Sequence, residues 1–266
     1  MHSALLALDV AHALALFLIS IAAGIGISAV GPGGVLMTIG LFAFTQLSPS
    51  RVAGTAIVTH VATGLVGATA YWRSGQLGDR ATRRIAMILC AATLAGIPVG
   101  IAINTQLSRD GFGLLLGLFA AAIGLLVCYR QRRRVDSQGL NAGTARLELH
   151  DVATASIGLC VGAASALFGI GGPMLSVPLL VAAGVPMLPA LAVAQVQSVA
   201  GSGLGAIGYA AQGGIDWPMA IFVAVPQMIG VVVGWKIAHA VPARGLAFFL
   251  AFMLIGLAPY LALGGR

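Results

Sequence analysis

Uncharged apolar runs alternate with short polar stretches along the whole chain. The clearest runs are Val52–Tyr71, Ile85–Ile103, Phe112–Cys128, Val152–Phe168, Ala190–Tyr209, Met219–Trp235 and Leu246–Leu263, and Ala11–Val30 makes an eighth. Each approaches the roughly 17–25 residues that a helix needs to cross a hydrocarbon core. In lipid the backbone must satisfy its own hydrogen bonds, which a helix does within one segment. The pattern therefore predicts an all-α integral membrane protein. Two further apolar segments are too short to span. Gly31-Pro32-Gly33-Gly34 precedes Val35–Phe44, and Gly169-Ile170-Gly171-Gly172-Pro173 precedes Met174–Ala183. Ten helical residues cover about 15 Å, half a bilayer. Non-helical backbone at that depth must be buried in protein or line a cavity. Paired, interrupted short segments of this kind point to a transporter's binding site.

The two short segments belong to a longer correspondence. An offset of 138 (171 − 33) places Gly33-Gly34 on Gly171-Gly172, Gly31 on Gly169 and Thr38 on Ser176. The same offset matches Gly67-Ala68 with Gly205-Ala206, Tyr71 with Tyr209 and Gly75 with Gly213. It then slips to 134, pairing Gly96, Gly100 and Gly111 with Gly230, Gly234 and Gly245. A duplicated unit is expected: residues 1–128 as a first repeat, a basic linker over 129–151, and 152–266 as a second repeat. Each repeat would hold a glycine-broken short or re-entrant helix pair and three spanning helices.

Composition agrees with a membrane protein: 59% of the 266 residues are hydrophobic, 37 more are Gly, and 8% are charged. A soluble domain carries about 25% charged residues. The formal charge of +7 does not imply a nucleic-acid partner, because the arginines sit beside apolar spans. The linker Tyr129–Asp151 carries Arg130, Arg132, Arg133, Arg134 and Arg146, and Trp72–Arg84 carries Arg73, Arg80, Arg83 and Arg84 against Asp79. The positive-inside bias puts both in the cytoplasm. If each broken pair returns to the side it came from, each half crosses an odd number of times. The repeats are then inverted and both termini lie outside. If the short segments do not cross, eight spans give parallel repeats with both termini inside. The lack of Lys and Arg in residues 1–10 favours inversion and argues against a cleaved signal peptide. Cys90, Cys128 and Cys160 lie within spans without metal or disulfide spacing and read as small apolar side chains.

The chemistry on offer suits an anion. Glycines at a break expose backbone N–H groups, and a helix then starts with its positive end facing the break, which binds anions. Gly31, Gly33, Gly34, Gly169, Gly171 and Gly172 are candidate substrate ligands on this ground. Thr38 and Ser176, one turn further in, can add hydroxyls. The following span of each half brings polar side chains to matching depths: Thr55, Thr59, His60 and Thr63 in one, Gln195, Gln197, Ser198 and Ser202 in the other. Thr63 and Ser202 read as bonded to their own backbone. Thr55, Thr59, His60, Gln195, Gln197 and Ser198 join the candidate site, and Gln227 beside Pro226 extends the set. His60 is the one ionisable group placed clearly inside a span, a proton relay, an anion partner or a packing residue. No paired carboxylates fall inside the spans, which argues against an acidic cation site. No catalytic residue, metal or cofactor is expected, and there is no Walker A motif. An uncoupled anion channel and a serine hydrolase built on Ser202 with His60 or His239 stand as rivals.

In their order, the glycine-rich break, the short apolar run and the small-polar span ending in Tyr71…Gly75 or Tyr209…Gly213 resemble the TauE/SafE sulfite-exporter family. That family is also called the 4-toluene sulfonate uptake permease family. Gly214-Ile215-Asp216-Trp217, the basic linker and the length add to the resemblance. It implies a secondary transporter of the plasma (bacterial inner) membrane for small sulfur-containing anions such as sulfite, thiosulfate or an organosulfonate. Residue by residue it falls on Gly31–Gly34 and Gly169–Gly172, with Pro32 as a departure. The expected partners are this anion and the lipid bilayer, with a homodimer left open.

Overall fold

The computed structural model describes residues 5, 8–137, 151–240 and 244–262. Every regular element among them is helical. Five helices precede residue 138: α1 (Val10–Ala29), α2 (Gly34–Phe44), α3 (Pro49–Arg73), α4 (Arg80–Asn104) and α5 (Arg109–Ser137). Five follow residue 150: α6 (Asp151–Phe168), α7 (Pro173–Ala182), α8 (Met187–Ala211), α9 (Trp217–Ala240) and α10 (Arg244–Ala262). Seven helices among the described residues are long and apolar enough to cross a membrane, and α2 and α7 are not. The run expected over Leu246–Leu263 falls on α10, and its last residue, Leu263, lies outside the described set. Residues 138–150 of the expected linker also lie outside it. In the described part of the linker, α5 continues as helix to Ser137, while its apolar span ends at Tyr129. Arg and Gln are good helix formers, so loss of apolarity there does not end the helix.

Glycines set how closely the long helices approach. A methyl at Gly24 of α1 would fall on the Gln227 carbonyl of α9, and one at Gly230 on the Ile21 carbonyl. On α4, methyls at Gly96 and Gly100 would fall on the Leu159 and Ala163 carbonyls of α6. Without a hydrophobic effect to drive association in lipid, such backbone-to-backbone packing is what holds membrane helices together. The pairs α1–α9 and α4–α6 each join helices from distant parts of the chain, as do α3–α8 and α5–α10.

Three contacts fix the paths of the short helices. The His12 ring near the start of α1 lies 5.3 Å from the Phe44 ring at the end of α2. So α2 runs back toward the side from which α1 set out. Asp151, opening α6, pairs with Arg84 near the start of α4 at 2.5 Å. Leu180 of α7 and Val185 just beyond it cluster with Ile85 and Ala86 of the same α4 turn. So α7 also runs back, to the other side, because α4 starts at the end of α3 opposite to α2.

Candidate functional site

The breaks between α1 and α2 and between α6 and α7 are built alike. Each long helix ends in a glycine of positive φ, Gly31 at 107° and Gly169 at 70°, a conformation that residues with a Cβ rarely adopt. Each last turn is held by a tyrosine from a neighbouring helix. The Tyr71 hydroxyl donates to the Ser28 carbonyl at 2.6 Å, and the Tyr209 hydroxyl to the Ala166 carbonyl at 2.7 Å. Both carbonyls lie in a final turn that leaves them without a helical partner. Ser165 Oγ donates to the Ile170 carbonyl, which closes the second break on itself.

The starts of the two short helices meet at His60. A methyl on Gly34 would lie 3.1 Å from His60 Cε1 and 3.4 Å from the Gly171 nitrogen. One on Gly171 would lie 3.0 Å from Ser198 Oγ and 3.1 Å from His60 Nδ1, and one on Gly172 3.1 Å from Gln197 Oε1. The structure therefore gathers Gly34, His60, Gly171, Gly172, Gln197 and Ser198 into one buried cluster. Ser176 joins it by donating to Gln197 Oε1, and Gln197 Nε2 donates to Thr93 Oγ1 at 2.6 Å. Thr93 passes the chain on to the Gly158 carbonyl at 3.1 Å. His60 is fully buried, and neither ring nitrogen closes a hydrogen bond, although the Gly169 carbonyl lies near enough to act on the ring.

Other residues singled out from the sequence lie around this cluster rather than in it. Gly33 packs back on α1, where a methyl would fall on the Ala23 carbonyl and the Ile27 nitrogen. Gly31 lies against Pro173 and Val177 of α7, and Gly169 against the Ala53 backbone of α3. Thr38 Oγ1 donates to the Gly169 carbonyl at 3.4 Å and so ties α2 to the second break. Thr59 bonds to the Ala56 carbonyl of its own helix, and Thr63 likewise to Thr59. Thr55 is spent elsewhere: its hydroxyl accepts from the Asp216 nitrogen at 2.9 Å. Gln195 lies against Gly67, with Nε2 donating to the Ile27 carbonyl at 3.4 Å and Oε1 unpartnered. Ser202 Oγ and both polar atoms of Gln227 are also buried without a partner.

Sequence reading missed three residues. Thr93 was hidden as an ordinary span threonine, although the 134 offset pairs it with Gln227 (227 − 93). Asn104 Nδ2 donates to the Leu167 carbonyl at 2.7 Å, fixing the end of α4 beside the second break. Arg109 Nη1 donates to the Leu47 carbonyl at 2.5 Å, and Nη2 to those of Phe42 at 2.7 Å and Thr45 at 2.9 Å. The buried carboxylate of Asp216 lies outside any span: it accepts from the Met219 nitrogen at 3.2 Å and caps α9.

Long apolar helices around two interrupted ones, with a buried polar cluster between, define a polytopic membrane protein of the transporter class. The family model for sulfite exporter TauE/SafE matches residues 16–261, and the chain belongs to that family. It is 25% identical over 243 residues to "Probable membrane transporter protein YdhB" of Bacillus subtilis (strain 168), covering 88% of this chain and 94% of that relative. It is 33% identical over 93 residues to "Probable membrane transporter protein ORF9" of a Sinorhizobium species, a match spanning 35% of this chain and 36% of that relative. No solved structure matches the chain. The protein is thus a multi-pass transporter of the plasma membrane.

Proposed function

We propose that this protein is a secondary transporter for a small sulfur-containing anion (sulfite, thiosulfate or an organosulfonate). The anion would sit between the starts of α2 and α7. The observation that carries this reading is the buried imidazole of His60, unpartnered beside Gly34 and Gly171 where two helix N-termini converge. Backbone amides and helix dipoles attract an anion without a fixed cation that would hold it too tightly for release. Protonation of His60 along with anion binding would couple transport to the proton gradient.

We also read the chain as two inverted repeats, 1–128 and 152–266, joined by a basic cytoplasmic linker over 129–151. Equivalent contacts recur at the two offsets seen in the sequence. Ser28 and Ala166, the two acceptors of the tyrosine hydroxyls, differ by 138, as do Tyr71 and Tyr209. Gly96 lies on Leu159 as Gly230 lies on Ile21, and Gly100 on Ala163 as Gly234 on Ile25. The partners differ by 138 (159 − 21, 163 − 25) and the glycines by 134 (230 − 96, 234 − 100). The opposite return directions of α2 and α7 support inversion over a parallel arrangement.

Uptake of labelled sulfite, thiosulfate and an organosulfonate into proteoliposomes tests the function. Saturable uptake of at least one is expected, reduced more than tenfold by Gly34→Ala and by Gly171→Ala in protein that still inserts. His60→Gln should weaken uptake and abolish its decline with rising pH near neutrality. Normal uptake by both glycine variants would refute the site, and flux without saturation would favour a channel. In a cysteine-free background, a cysteine at Gly213 should be labelled from outside the cell and one at Gly78 should not; the reverse would overturn the orientation.

A further inference from the structure

A cavity of about 1100 Å³ opens at the turn between α3 and α4, and Trp72, Arg80, Arg83, Arg84, Met87 and Val196 are among its lining residues. Its walls divide by chemistry. The three arginines hold the mouth. Trp72 and Met87, 74% and 66% exposed, turn apolar surface outward from helices that cross the membrane. Val196 lines the cavity from α8.

The charges at the mouth are unevenly spent. Arg84 is paired with Asp151 at 2.5 Å. Asp79 caps α4, its carboxylate accepting from the Thr82 nitrogen at 3.0 Å. Arg80 and Arg83 are exposed and join no ion pair among the described residues. An anion is therefore the complement of this mouth. Depth then decides which kind. Met87 lies seven residues into α4 and Val196 nine residues into α8, so the cavity reaches about 10–14 Å along helices that rise 1.5 Å per residue. A small hydrated anion gains nothing from apolar walls at that depth. An amphiphile with an anionic head gains from both parts. The positive-inside bias puts this face in the cytoplasm, where anionic lipids attract basic pockets between helices.

We propose that this cavity binds an anionic phospholipid, with its headgroup phosphate on Arg80 and Arg83 and the start of an acyl chain against Met87 and Val196. Such a lipid would wedge between α4 and α8 beside the Thr93–Gln197 hydrogen bond, the side-chain link between those helices described above. The cavity's lining shares no residue with the His60 cluster, and the proposal stands whether or not the substrate assignment does.

The test uses the full chain purified in detergent and titrated with phosphatidylglycerol, phosphatidylcholine or glycerol 3-phosphate, with retention read by native mass spectrometry and stability by thermal unfolding. Phosphatidylglycerol should be retained and stabilising, and the other two should be neither. The Arg80→Gln/Arg83→Gln double variant should hold phosphatidylglycerol about 25-fold more weakly, from about 1 kcal/mol per lost charge. Val196→Trp, or Met87→Trp should the first not fold, should also lower retention while leaving every charge in place. Equal retention by the double variant would overturn the proposal. Glycerol 3-phosphate competing as well as the lipid would also overturn it, and would make the cavity a vestibule for soluble anions.

Discussion

The two short helices begin at the same buried place and each is tied there, α2 by Thr38 to the Gly169 carbonyl and α7 by Ser176 to Gln197, but their far ends are closed differently. α2 is anchored at its far end. Arg109 of α5 donates to the carbonyls of Phe42, Thr45 and Leu47 and lies 4.5 Å over the Phe42 ring. A guanidinium there satisfies carbonyls that the helix leaves open and also suits the negative end of its dipole. Among the described residues no cation bonds the far end of α7. It closes through backbone bonds from Ala183, Gly184 and Val185 to Leu179, Val181 and Leu180. At the near end of α7, Ser176 bonds to Gln197 and Gln197 to Thr93. Gln227, which the offset pairs with Thr93, has both polar atoms unpartnered. Two short helices that start together can thus differ in how their far ends are closed. In this conformation the polar chain is closed on the α7 side.

Six substitutions break or sharpen this contrast. The largest effect is expected at the break leading into α7. Gly169→Ala meets both a positive φ and the Ala53 backbone and should cost more than about 3 kcal/mol, seen as loss of folded protein on size-exclusion chromatography. Arg109→Met removes three charge-assisted bonds at once and should lower stability by about 3 kcal/mol. Hydrogen exchange should then rise over 42–47 and stay unchanged over 179–185. Gln197→Leu and Thr93→Val should each cost about 1 kcal/mol, with a coupling energy of about 0.6 kcal/mol in a double-mutant cycle. Zero coupling would mean the bond does not form in the membrane. The smallest effects belong to Tyr71→Phe and Tyr209→Phe, each about 0.5–1 kcal/mol by thermal unfolding. Their values should agree, because both hydroxyls do the same work on equivalent carbonyls.

The spans and the breaks were legible in the sequence because a bilayer reads composition directly. A run of about twenty uncharged residues has one stable form in lipid, and three glycines in four residues end the helix at both breaks, whereas Gly201-Ser202-Gly203-Leu204-Gly205 stays helical within α8. Helix ends beyond the membrane were less legible, as α5 shows by continuing through Arg130. The polar cluster was legible in part. His60, Gln197 and Ser198 stood out because amides and imidazoles are costly inside a membrane. Which of them meet is another matter. Gly33 and Gly34 are neighbours in sequence but about 100° apart on a helix, so one faces α1 and the other His60. Thr55 and Thr59 share a face of α3, yet one turn of depth gives Thr55 to Asp216. Arg109 reaches carbonyls more than 60 residues away, and no local spacing signals such a bond.

The glycine contacts between α1 and α9 bear on how the chain is made. Synthesis delivers α1 to the bilayer roughly 200 residues before α9 exists, since Gly24 and Gly230 are that far apart. α4 meets its tight partner α6 sooner, because Gly96 and Gly162 are separated by 66 residues (162 − 96). Early in biogenesis α1 therefore presents to lipid a groove shaped for another backbone, and its assembly waits until α9 has been made. The amino-terminal half, made alone, has no means of filling that groove. Supplying residues 151–266 on a second polypeptide should let the two fragments assemble within the membrane and run as one species on purification.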